Sequence, residues 1–306
     1  MIQGFENNKW YIDYTACNRS IGTLRQEHLF RAKTIADSSN KIMLSNSGGT
    51  DSQVMLLSFI EQHIPFESVF LYLPGYNDHE YRQVQEVDKR WDLSTQIIDF
   101  DPYDFKEEFE QESLQQDIQV YSILQKKFFS LVPDDCDFVS NITDPYIHMD
   151  INNNSFWFQG YNSYEVVRQR AFELVNRKGK FVFWGDSSEM LASTLSDEVV
   201  SACNSSWRYI RGNGLTKPNA VNVFVHSLDK WDYFIKPILY GKHWKDEIIY
   251  FPKSQGFEKI DYLNTYYPMF KHGMMTPFNS FVDFLINGDG KTQRYYENIS
   301  DEPIRS

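Results

Sequence analysis

Ser47-Gly48-Gly49-Thr50-Asp51-Ser52 is the stretch of this sequence best furnished for chemistry. Two adjacent glycines permit backbone angles closed to other residues and let a phosphate come close to the chain. Ser47, Thr50 and Ser52 add hydroxyl donors, and Asp51 can hold a divalent cation that neutralises phosphate charge. A helix starting here adds unpaired N–H groups and a favourable dipole, so the expected ligand carries phosphates. No Gly-Lys-Ser/Thr follows the glycines, as a Walker A loop requires, and the Gly-x-Gly-x-x-Gly spacing of dinucleotide folds is missing.

The elements that must position this loop read as alternating strands and helices. Residues 41–45 form a short apolar run of strand length, and 52–62 return to helical periodicity through Val54, Leu57 and Ile60. The alternation continues with a strand over 66–73, a helix over 78–91 capped by Asp78, and a strand over 94–99. Pro102 opens two helical stretches over 103–116 and 118–131, and strands follow over 137–140 and 180–184, with a helix over 163–177 between them. Such an order predicts a parallel sheet with right-handed crossovers.

On either side of this block the pattern changes. The first 40 residues read as an extended lead-in and a helix over 24–36. From about residue 195 the chain turns polar and irregular, with Gly212-Asn213-Gly214 and Lys217-Pro218 as turn signals, which suggests an active-site lid. Arg208 and Arg211 in that stretch are the candidate contacts to pyrophosphate or substrate. Thr276-Pro277 predicts a helix start, and the tail after Asn287 reads as loop. The expected architecture is a doubly wound α/β domain over 41–190, preceded by the lead-in and helix over 1–40 and followed by a largely helical extension over 191–306.

Composition narrows the function. Thirty basic against 42 acidic residues give a net charge of −12, which argues against a broad nucleic-acid face or a polybasic membrane patch. No apolar run approaches the ~18 residues of a membrane span, and the N-terminus lacks the features of a signal peptide, so a cytoplasmic protein without membrane or DNA partners is expected. Cys17, Cys136 and Cys203 form no Cys-x-x-Cys pair, so free thiols are expected rather than disulfides, zinc or a cluster.

The Ser-Gly-Gly-x-Asp-Ser loop after a first strand resembles the PP-loop of the N-type ATP pyrophosphatases, whose fold is the adenine nucleotide alpha hydrolase-like one. These enzymes cleave ATP between the α- and β-phosphates, passing AMP to a substrate oxygen from which a nucleophile displaces it. Three more stretches are similar to the synthetase domain of asparagine synthetases. Asp78-His79-Glu80-Tyr81 through Trp91, followed by Ile97-Ile98-Asp99-Phe100-Asp101-Pro102, looks like that family's helix and following strand. Gly185-Asp186-Ser187-Ser188-Glu189-Met190-Leu191 resembles its Gly-Glu-Gly-x-Asp-Glu-Leu loop, with Ser187 for a glycine, Glu189 for the metal-binding aspartate and Met190 for the next glutamate. Phe251-Pro252-Lys253-Ser254-Gln255-Gly256-Phe257 resembles its Arg-x-Lys-x-Gly-Phe stretch, with Phe251 for the arginine and two residues, Ser254 and Gln255, between the lysine and the glycine.

The resemblance implies an amide-forming ligase that uses ATP and Mg²⁺, a small-molecule acid or amide as acceptor, and an amine or ammonia as nucleophile, releasing AMP and pyrophosphate. Ser45, Ser47, Gly48, Gly49, Thr50, Asp51, Ser52, Leu73 and Gly185 are then the candidate nucleotide contacts. Asp51 and Glu189, with Asp186 competing, are the candidate metal ligands. Lys253 is the candidate cation for charge developing during transfer, beside Arg208 and Arg211. Residue 2 is Ile2, not the cysteine of a glutamine-dependent amidotransferase, and only about 40 residues precede the first strand, so free ammonia or another amine is expected. Two alternatives stay open: a tRNA or nucleobase modifier of the thiolation or lysidine type, with the acidity weighing against RNA, and a non-catalytic nucleotide-binding protein.

Overall fold

The structure, a computed structural model, describes residues 2–6, 9–116, 120–140, 146–150, 155–159, 180–183, 187–200, 224–225, 236–251 and 275–296, with Ala171, Leu174, Val175, Ile260 and Tyr262 besides. Strands β1 (Ile2–Glu6) and β2 (Lys9–Thr15) open the chain, followed by helix α1 (Leu24–Ser38). Next come β3 (Ile42–Ser45), α2 (Thr50–Glu61), β4 (Glu67–Tyr72), α3 (Asp78–Trp91) and β5 (Thr95–Asp99). A 3-10 turn over Pro102–Phe105 leads into α4 (Lys106–Gln116), α5 (Val120–Leu131) and β6 (Asp137–Ser140). A hairpin of β7 (Tyr146–Asp150) and β8 (Ser155–Gln159) precedes β9 (Lys180–Val182) and α6 (Ser188–Leu195). The rest contributes β10 (Phe224–Val225), α7 (Lys236–Trp244), β11 (Met275–Pro277), α8 (Phe278–Asn287) and β12 (Thr292–Tyr296).

Five strands form one parallel sheet in the order β5-β4-β3-β6-β9. Alternation along each strand divides the core. Ile42, Leu44 and Val139 pack with Leu24 and Ile35 of α1, Val54 and Phe59 of α2 and Val87 of α3. Met43 and Phe138, with Val69 and Leu71, pack on the other face against Phe109 of α4 and Ile123, Leu124 and Phe128 of α5. Burial on both faces is why β3 and β4 read as apolar runs, whereas the edge strand β5 buries only Ile98. The chain moves from β3 outward through α2 and α3, then crosses to the other side of β3 through α4 and α5. With right-handed crossovers the two helix pairs must fall on opposite faces, as they do. The sheet is therefore doubly wound, and its winding reverses between β3 and β6.

Three expectations at element ends are corrected. The cap position of α3 is Asn77, and Asp78 is the first helical residue. The Asp78 carboxylate accepts from the Gly75 N–H at 2.9 Å and the Tyr72 hydroxyl at 2.7 Å, bonds that hold its pKa below the usual carboxylate range. Pro277 ends β11 instead of opening α8; lacking an N–H, it is tolerated because β11 lies at the edge of the four-stranded sheet β10-β7-β8-β11. The tail after Asn287 is not loop throughout. β12 pairs antiparallel with β2, which itself pairs with β1, so the expected lead-in is part of a three-stranded sheet. Arg294 fixes that register through two bonds to Asp13, at 2.7 and 2.8 Å, and Tyr295 packs edge-on against Tyr14 and Phe281. The C-terminal stretch thus supplies strands as well as the helices α7 and α8.

Candidate functional site

β3 stops at Ser45, level with Val69, whereas β4 continues through Phe70 and Leu71 to Tyr72. This overhang is about 10 Å at the usual rise per strand residue. On the other side β6 ends at Ser140. Residues 46–49 therefore leave β3 beside the projecting end of β4, at the carboxyl edge of the sheet and at the point where the winding reverses. Open α/β sheets bind ligands there.

The loop is held from below. The Asn46 N–H donates to the Val69 carbonyl at 2.9 Å, and its side-chain oxygen accepts from the Gly48 N–H at 3.0 Å, a local Asx turn. Its amide nitrogen donates to the Thr95 hydroxyl at 2.9 Å, and Thr95 donates in turn to Asp88 at 2.6 Å. Gly48 has φ +69°, and a Cβ there would come within 2.6 Å of the Gln83 Cβ and 2.8 Å of the α3 backbone at Gln83 and Val84. Gly49 has the ordinary angles φ −67° and ψ 160°, and a Cβ there meets only the Ser47 hydroxyl, at 3.3 Å. Only one of the two glycines adopts the special backbone expected of both. The other leaves open space beside the loop.

Gly49 is also the cap of α2, and it offers no side-chain acceptor to the first helical N–H groups. α1 has a complete capping box from Thr23 and Gln26 and α6 is capped by Ser187, whereas α3, at Asn77, shares with α2 the lack of a side-chain cap. An uncapped first turn leaves donors for an anion. Ser52 turns its hydroxyl onto the Gly49 carbonyl at 2.8 Å and lies 3.2 Å from the Ser47 hydroxyl, so it braces the loop. Ser47 is exposed, and Thr50 and Ser45 are half-buried.

The remaining candidates are placed as follows. Asp51 sits in the first turn of α2 and accepts from the hydroxyl of Tyr240, a fully buried residue of α7, at 2.7 Å. Glu189 accepts from the Asn18 N–H at 3.3 Å, on a helix whose first residue, Ser188, bonds the Thr15 carbonyl. With burial as the larger cause, the Glu189 charge helps push the Cys17 thiol up to about 11. Asp51 and Glu189 thus have different partners, and among the described residues no group of three or more His, Cys, Asp and Glu is placed to hold a metal. Leu73 is buried, with its N–H on the Asn77 side chain at 2.7 Å and its carbonyl accepting from the N–H groups of Tyr76 and Asn77. Lys242 pairs with Asp197 at 3.0 Å and Glu198 at 3.1 Å, and His243 bonds Asp197 at 2.9 Å. Gly185, Asp186, Arg208, Arg211 and Lys253 lie outside the described residues.

Three residues at the site escape a reading of motifs. Asn46 carries the one local signal, an Asn two positions before a glycine. Gln53 directly follows the loop but has no motif role of its own, its distant partner being Ile249, and no spacing rule connects Tyr240 to Asp51.

No protein-family model and no curated protein matches the chain. Among solved structures it is similar to NMN synthetase from Francisella tularensis, at 11% identity and a TM-score of 0.34, covering 78% of this chain and 92% of that one. It is also similar to NH3-dependent NAD synthetase from Campylobacter jejuni in complex with the nitrate ion, at 12% identity and a TM-score of 0.33, covering 76% of this chain and 96% of that one. The fold assignment rests on the sheet order and its two covered faces.

Proposed function

We propose that the chain binds ATP at residues 46–52 and transfers AMP to a carboxylate or amide oxygen of a small molecule, from which ammonia or another amine displaces it. The observation that carries this reading is the uncapped start of α2 beside the open face of Gly49, set at the switch point of a doubly wound sheet. The loop sequence, which resembles a PP-loop, directs the reading to cleavage between the α- and β-phosphates. Asp51 fits a hard cation, being a carboxylate in the same first helical turn as the proposed phosphate donors, and Mg²⁺ commonly takes one or two carboxylates with phosphate and water completing the shell. When bound, the cation would neutralise charge on the phosphates. Glu189, with Asp186 competing, is the proposed second carboxylate.

Cys136 does not favour the thiolation alternative. It precedes β6, at the amino edge of the sheet opposite the loop, and its buried thiol donates to the Pro133 carbonyl at 3.0 Å.

ATP labelled at the α-phosphate, incubated with Mg²⁺, ammonia and a panel of small carboxylic acids and amides, tests the proposal. Labelled AMP and unlabelled pyrophosphate are expected. Labelled ADP would remove the pyrophosphatase reading, and tight binding without turnover on any acceptor would favour the non-catalytic alternative. Asp51→Asn separates a metal ligand from a helix-end carboxylate. The amide oxygen can still accept from Tyr240, so the fold should hold while affinity for Mg·ATP falls far more than affinity for metal-free ATP. Equal losses for both forms, measured by calorimetry, would leave Asp51 a structural residue only.

A further inference from the structure

Gln53 lies in the first turns of α2, fully buried, and both ends of its amide are engaged. The nitrogen donates to the Gly48 carbonyl and to the Ile249 carbonyl, each at 2.8 Å, and the oxygen accepts from the Ile249 N–H, also at 2.8 Å. Only the nitrogen can serve two carbonyls, so these partners fix which way round the amide sits. A trans peptide is planar, with its C=O and N–H pointing to opposite sides. Drawing the Gly48 carbonyl inward onto Gln53 therefore turns the Gly49 N–H outward, where it meets the Ser47 hydroxyl at the long distance of 3.4 Å. Gly48, at φ +69° and without a Cβ, offers little resistance to rotation of the next peptide. A flipped peptide would face the ligand with a carbonyl oxygen, which repels phosphate.

We infer that Gln53 is a positioning residue: its amide locks the Gly48–Gly49 peptide with the N–H toward a bound phosphate and, through Ile249, joins the loop to the chain segment after α7. This role rests on the proposed ATP reading. It differs from a packing role in one respect, because it predicts weaker anion binding by protein that remains folded.

Gln53→Met keeps the length of the side chain and removes the donor and acceptor. Its melting temperature should fall, since the Gly48 and Ile249 groups lose their partners. Affinity for inorganic pyrophosphate, measured by calorimetry well below that temperature, should weaken roughly tenfold or more, as expected for one misdirected bond to a charged group. Folded Gln53→Met protein that binds pyrophosphate as tightly as wild type overturns the inference and leaves the ATP proposal standing, whereas wild-type protein that binds neither pyrophosphate nor ATP removes both. Should the variant not fold, a crystal structure of the wild-type chain with pyrophosphate decides. The Gly49 N–H toward the anion with the Gly48 carbonyl on Gln53 is expected, and a carbonyl facing the anion overturns the inference.

Discussion

Gly49→Val should abolish ATP binding and leave the protein folded, whereas Gly48→Ala should damage the fold itself. The two glycines are adjacent, but they face different surroundings. Any Cβ at Gly48 meets the Gln83 Cβ at 2.6 Å and the backbone of α3 at 2.8 Å and must keep a left-handed φ of +69°. The backbone conformation costs about 1–2 kcal/mol for a non-glycine residue and the overpacking about 1–3 kcal/mol more. That is a large share of the roughly 5–15 kcal/mol that stabilises an ordinary domain. At Gly49 the angles suit any residue, and the only neighbour within 4 Å is the Ser47 hydroxyl, so the cost to the fold is about 1 kcal/mol, that of a poor cap residue. A valine there fills the space in front of the uncapped N–H groups. Losing two bonds to a charged phosphate, at about 1.5–3 kcal/mol each, amounts to at least a hundredfold in affinity. Thermal melts and calorimetry on both variants check the contrast, and wild-type ATP affinity in Gly49→Val would show that the open face is not where the nucleotide sits.

The contrast also marks how far the sequence alone reaches. Residues 41–140 are legible because both faces of the sheet are covered at its centre, so β3 and β4 are apolar runs, and because the helices between carry apolar stripes; α3 falls on Asp78–Trp91 as its periodicity predicts. The loop is legible because phosphate recognition needs a local set of residues within six positions. Which glycine serves the ligand and which serves α3 is not legible, since that depends on Gln83 and Val84 arriving from another helix. The same holds for Tyr240 on Asp51 and Ile249 on Gln53, contacts across almost 200 residues of chain. β12 is missed for a related reason. It is largely exposed, and its partner β2 stands at the far end of the sequence, so neither local alternation nor turn chemistry announces it.

Those long-range contacts give the site a second wall and bear on the largest catalytic effect expected. Tyr240 brings α7 itself onto Asp51, and Ile249 brings the chain that follows α7 onto Gln53, which in turn holds the Gly48 carbonyl. Lys253 lies outside the described residues, four positions after Ile249, and four residues of chain span at most about 14 Å; its assignment as the cation rests on the proposed function and on the Pro252-Lys253-x-x-Gly256-Phe257 resemblance. Transfer of AMP builds negative charge on the α-phosphate oxygens and on the departing pyrophosphate, and a cation is needed where that charge develops. Lys253→Ala should therefore lower pyrophosphate release on the order of a hundredfold or more, the usual cost of losing one such donor. Because the interaction strengthens in the transition state, ATP affinity should change little, and the loss should appear in kcat instead of KM. Pyrophosphate release followed under saturating ATP, beside calorimetric ATP affinity for the same variant, separates the two. A fully active Lys253→Ala would reassign the cation to Arg208 or Arg211, because Lys242 is already paired with Asp197 and Glu198. A parallel loss of binding and turnover would instead make Lys253 a ground-state phosphate contact, with no special part in the transfer.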